Sequence, residues 1–149
     1  MFIGHFALGF AAKRVVPRVS VAALFGAAQL ADLLWPFLLA AGVEQVRIDP
    51  GNTRSTPLDF ISYPYSHSLL MLVVWGGIFG WIASRIVRER YVFGIMFALV
   101  VSHWVLDYVT HRPDMPLYPG GPRVGLGLWN HPVPEKLIEI TMYAAGPLK

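Results

Sequence analysis

The chain reads as apolar runs separated by two polar stretches. Three runs approach or exceed the roughly 20 helical residues that cross a bilayer: residues 21–42, 66–84 and 91–111. None alternates with period two over a useful length, so helices are expected and not barrel strands. Shorter apolar pieces at 2–12 and 137–147 are too brief to span alone. Pro36 is expected to kink or end the first span, and Pro113 and Pro116 to end the third. The stretches 43–65 and 112–135 are rich in Pro, Gly, Asn and Thr and read as long loops outside the membrane. The expected fold is an all-α integral membrane bundle. It has about three transmembrane helices plus short N- and C-terminal helices in a single domain, 1–149.

Composition supports the membrane reading. Of 149 residues, 55% are hydrophobic and only 14% charged, against roughly 25% charged in soluble domains. The pI near 9.5 would suit a nucleic-acid partner. The net charge is only +3, however, and the basic residues sit in short clusters between apolar runs, so no nucleic acid is expected. Lys13, Arg14 and Arg18 form one cluster, and Arg85, Arg88 and Arg90 the other. A chain that passes back and forth puts both on one side, which the positive-inside rule makes cytoplasmic. The two long loops then face outward. The charges of the first segment follow its apolar part, so it reads as a retained helix and not as a signal peptide.

The candidate chemistry lies on that outward side. His103, Asp107 and His111 are spaced four and four and share one helical face. His67 opens the second span, His5 lies near the chain start, and Asp32 sits within the first span. His131 follows in the outward tail, with Glu135 and Glu139 at intervals of four. A carboxylate in a membrane span is costly unless partnered, and marks function by default. With no cysteine in the chain, a metal site must be built from nitrogen and oxygen donors, which suits zinc, or else manganese or iron(II). Other readings stay open here. His103 and Asp107 could merely clamp helices, Asp32 could pair with Arg47, Arg54 or Gln29, and His131 could be an ordinary loop histidine. Glu135 and Glu139 could form a solvated face with Lys136. The glycines of "GGIFG", 76–80, read as a helix-packing surface, since no strand precedes them.

The ordered set His5, Asp32, "YSHS" with His67, "HWVLD" with His103 and Asp107, and "TH" with His111 resembles the bacterial membrane-bound metal-dependent hydrolases. These are inner-membrane proteins, one member being a target of the SOS repressor. The resemblance runs from about residue 4 to residue 140, and "LWNHPVPEKLIE" is similar to the family's last motif. More distantly, the order resembles the ligand pattern of the zinc-dependent phospholipase C and single-strand nuclease fold. The resemblance implies that His5, Asp32, His67, His103, Asp107, His111, His131 and Glu135 are metal ligands. Pro132 and Pro134 disfavour a regular helix at "HPVPE", which shifts weight toward Glu139.

The function expected is metal-dependent hydrolysis of a phosphoester or ester on a lipid or envelope molecule, within the bacterial inner membrane and on its periplasmic side. Asp32, His67 and Asp107 are the expected catalytic residues, with Asp32 a bridging ligand or general base. A transporter is the rival reading, but the inner stretches 21–28, 75–84 and 91–100 hold no acidic, basic or histidine residue. A structural membrane subunit is the third.

Overall fold

A computed structural model describes residues 2–146. Its elements, in chain order, are α1 (Phe2–Val15), α2 (Val21–Ala28), α3 (Leu30–Ala40), β1 (Gln45–Ile48), β2 (Leu58–Ser62), α4 (Pro64–His67), α5 (Leu69–Val87), α6 (Val92–Thr110), β3 (Met115–Pro116), β4 (Arg123–Val124), a 3-10 turn (Leu128–Asn130) and α7 (Pro132–Ala145). The protein is mostly helical, but it is not all-α. Each expected loop holds a two-stranded antiparallel ribbon, β1–β2 and β3–β4.

α5 and α6 are the two helices long and apolar enough to cross a membrane, and the bent pair α2–α3 makes a third candidate. Only 17% of the α5 window is buried inside the protein. Its outer face shows Leu70, Val73, Val74, Ile78, Trp81 and Ile82, a surface that only an apolar phase or a partner would cover. The inner face carries Gly76 and Gly80. A side-chain carbon at Gly80 would lie 2.8 Å from the Phe93 carbonyl oxygen, and one at Gly76 3.2 Å from that of Phe97. The glycines of "GGIFG" thus let the backbones of α5 and α6 approach closely.

Ser20 caps α2 by accepting from the Ala23 amide, and Ser68 caps α5 by accepting from the Met71 amide. Pro36 does not break its span: α3 continues through it to Ala40. The 60° bend falls instead at Gln29, between α2 and α3. Pro36 has no amide hydrogen to give the Asp32 carbonyl, and α3 absorbs that loss within its own first turns. The bend makes Asp32 part of a new helical first turn, where the helix dipole favours a carboxylate.

Two apolar clusters divide the molecule. One is aliphatic and small, built on Val16, Leu24, Ala27, Leu72, Met96 and Val100. The other is aromatic: Phe60, Tyr63 and Met115 pack with Trp35, Trp104 and Trp129. The basic loops meet at the aliphatic end, where Arg18 Nε lies 3.2 Å from Glu89 Oε1. Both expected basic clusters therefore occupy one end of the bundle.

Candidate metal centre

The site forms where α1, α3, α4 and α6 converge. On α6, His103, Asp107 and the cap residue His111 fall one turn apart. His103 lies seven residues before the helix end at Thr110, a depth of about 10 Å. His5 comes from the first turn and a half of α1, Asp32 from the first turn of α3, and His67 ends the single turn of α4. Asp107 Oδ1 is 3.2 Å from His5 Nε2, and Asp107 Oδ2 is 3.1 Å from His103 Nε2 and 3.9 Å from His111 Nε2. Asp32 Oδ1 is 3.3 Å from His67 Nε2 and 3.8 Å from His103 Nε2. The His5 and His103 rings stack at 3.9 Å. Asp32 pairs with these imidazoles, and Arg47 instead reaches Asp59 Oδ2 at 2.6 Å.

The outer nitrogens of three imidazoles are held. His103 Nδ1 donates to the Ala28 carbonyl at 2.8 Å. A carbonyl can only accept, so Nδ1 carries a proton, and in the neutral ring the lone pair would be on Nε2. Ser66 Oγ donates to Glu44 Oε2 at 2.6 Å, so it accepts from His67 Nδ1 at 2.7 Å. His111 Nδ1 donates to Asp114 Oδ1 at 2.9 Å. All three Nε2 atoms are thereby presented to Asp32 and Asp107. A partner that fixes the outer nitrogen is the usual support of a metal-ligating histidine.

The supports were not among the residues singled out from sequence. Glu44, 2% exposed, accepts from the Tyr65 and Ser66 amides at 2.8 Å each as well as from the Ser66 hydroxyl. It caps α4 from 21 and 22 residues away. Asp114 also accepts from the Tyr63 hydroxyl at 3.0 Å and from Arg112 Nε at 3.2 Å, and Arg112 pairs with Asp59 on β2. The β1–β2 ribbon is thus bolted to the end of α6. Burial pushes the Tyr63 hydroxyl well above its ordinary pKa, with the Asp114 charge acting in the same direction.

Among the described residues, two groups of three could hold a metal ion: Asp32, His67 and His103, and His5, His103 and Asp107. His103 belongs to both. Its single Nε2 can serve one ion, so these triads are alternatives unless further ligands join. The buried Nε2 of His103 faces the Asp107 carboxylate at 3.1 Å, and a cation held between them would be bound by both. A cavity of about 180 Å³ opens onto the cluster, lined by Asp32, His67, Asp107 and His111 below Trp35, Phe60 and Trp129. Asp32 is the accessible member, its side chain 34% exposed against 0–5% for His5, His67, His103, Asp107 and His111.

His131, Glu135 and Glu139 are not in either triad. His131 stands exposed at the start of α7. Glu135 and Glu139 are both buried on α7, so neither belongs to a solvated face. The prolines do not exclude a helix there: Pro132 is the first helical residue, where no amide hydrogen is needed.

The family model described as YdjM inner membrane protein matches residues 1–146. No curated protein and no solved structure matches the chain. The chain belongs to the YdjM inner membrane protein family.

Proposed function

We propose that this inner-membrane protein is a metal-dependent hydrolase that cleaves an ester or phosphoester of a lipid or envelope molecule, with its site on the periplasmic side. The observation that carries the reading is the inward aim of three Nε2 atoms, each fixed by a hydrogen bond at the opposite nitrogen. A helix clamp would leave no such common focus.

Asp32, His67 and His103 would hold a divalent metal, zinc being the first choice for a nitrogen and oxygen donor set. Such an ion, when bound, lowers the pKa of water and polarises an ester or phosphoryl oxygen. The chain's own residues do the rest. His67 and His103 would hold the ion through Nε2 as neutral imidazoles. Asp107 lines the same cavity between His103 and His111 and would take a proton from the attacking water. Trp35, Phe60 and Trp129 narrow the cavity and restrict bulk water.

The aliphatic half supports this reading over transport. Between the cluster and the basic loops the buried residues are Leu24, Ala27, Leu72, Met96, Leu99 and Val100, which offer no polar path. The basic loops would face the cytoplasm, and the ribbons the periplasm.

The test is elemental analysis of detergent-purified protein, followed by assay of the metal-loaded form on a panel of lipid and soluble esters and phosphoesters. Stoichiometric metal with metal-dependent cleavage is expected. Protein that binds no divalent metal tightly would sink the reading. Cysteines placed at the exposed Arg54 and Arg90 check orientation, since an impermeant thiol reagent should label position 54 alone in cells with a permeable outer membrane.

A further inference from the structure

Asp32 has a second face. Besides the polar cavity, it closes one end of an apolar groove of about 390 Å³ between α1 and the bent α2–α3 pair. Phe6 and Phe25, in edge-to-face contact at 5.0 Å, form one wall. Ala22 and Gly26 form the floor, and Leu33, 52% exposed, stands at the mouth. The volume falls in the range of small-molecule sites, about 300–1,000 Å³. A neighbouring hollow of about 440 Å³ shares Phe6 and Phe25 but is otherwise lined by Ile3, Phe10, Ile140 and Tyr143, and it has no link to Asp32.

We infer that the groove holds one acyl chain of a membrane phospholipid, entering sideways from the bilayer with its ester or phosphoester end at Asp32. The inference rests on the metal-centre reading for what happens at that end. Three features select this occupant. The walls belong to helices of an inner-membrane protein, and the mouth at Leu33 opens on their exposed apolar side. Asp32 lines both the groove and the cavity onto which His67, Asp107 and His111 open. Its polarity is graded, from Phe6, Phe25 and Leu33 to the buried Gln29 and the carboxylate. That gradient matches a molecule apolar at one end and charged at the other. Moving an acyl chain from bilayer to groove is near neutral, because lipid tails are about as apolar as leucine. The headgroup at the metal centre must therefore supply selectivity, while the groove sets the depth and direction of approach.

Gly26 gives a clean test. A side-chain carbon there meets nothing within 4 Å, so Gly26→Leu starts into open space and should fill the groove, and leucine is a better helix former than glycine. Gly77 on α5 is equally open and lies away from the groove, so Gly77→Leu is the matched control. The probe is a phosphatidylethanolamine with a diazirine in one acyl chain, presented in nanodiscs and photolysed, with adducts mapped by mass spectrometry. In the wild type, adducts should concentrate on Phe6, Phe25 and Leu33 over the lipid-facing residues Val73, Ile78 and Ile82. Gly26→Leu should cut the groove adducts by about fivefold or more relative to α5, and Gly77→Leu should leave them unchanged. Equal labelling of groove and α5, or groove labelling indifferent to Gly26→Leu, overturns the inference. So does a disulfide-linked dimer from Leu33→Cys in membranes, which would give the groove to a second copy. The adducts read occupancy and not turnover, so groove labelling without ester cleavage removes the hydrolase reading and keeps the acyl site. Cleavage of soluble esters without groove labelling does the reverse.

Discussion

The half of the molecule that carries Arg18 and Arg88 and the half that carries Asp32 and Asp107 share the same helices but are packed with different material. The first is held by small and aliphatic side chains and by the close approach of α5 to α6 at Gly76 and Gly80. The second buries His67, His103, Asp107, His111, Glu44, Asp59 and Asp114 under aromatic rings. Dispersion packing needs no exact partner, whereas each buried polar group needs a specific one or costs about 1–3 kcal/mol. The aliphatic half can therefore adjust its packing without leaving a group unpaired. The polar half depends on a chain of hydrogen bonds whose inner ends turn the imidazoles toward Asp32 and Asp107.

Four substitutions press on that difference. His103→Ala should lower metal affinity most, by well over about 100-fold, because it removes the one nitrogen common to both triads. Elemental analysis reads it, and the helical circular dichroism should persist. Asp32→Asn should reduce turnover by about 10²–10⁴-fold with the fold retained, since the amide keeps the shape but loses the charge. Equal rates for the two proteins would remove Asp32 from the mechanism. Glu44→Gln should weaken metal binding by about 10–100-fold through Ser66 and His67, as measured by competition with a chelator. Gly80→Leu acts in the other half. It forces α5 from α6 and should cost about 1–3 kcal/mol in a detergent unfolding titration, while the folded fraction keeps its metal. Metal lost in step with folding there would mean that the halves are not separable.

The helices that cross the membrane were legible because the period and length of apolar runs report them directly, and α5 and α6 lie within a few residues of expectation. The bend was placed at Pro36 and is found at Gln29, because a proline's missing hydrogen bond can be tolerated inside a helix that tertiary contacts hold. His103, Asp107 and His111 are legible on α6 from their spacing of four, which survives as one helical face. Asp32 and His67 could be singled out as costly residues in apolar surroundings, although no local spacing pairs them. Glu44 could not be found this way. It reads as an ordinary loop carboxylate, and its three donors lie 21 and 22 residues further on. The two ribbons were missed for a similar reason. Strands of two to five residues carry too little alternation to be seen, and they exist because Asp59, Arg112 and Asp114 tie them to α6. His131, four residues before Glu135, stands exposed at the start of α7 and outside both triads.

The pairing of His5 with Asp107 spans 102 positions, and this has a consequence in time. At roughly 5–20 residues per second, α1 leaves the ribosome roughly 5–20 s before the carboxylate that completes its side of the centre. During that interval the first helix carries an imidazole with no ligand partner and is too short to anchor itself across the bilayer. The centre cannot close on nascent α1, α2 and α3, whatever metal is present. It becomes possible only when α6 arrives, so metal capture would report that insertion of the chain is nearly complete.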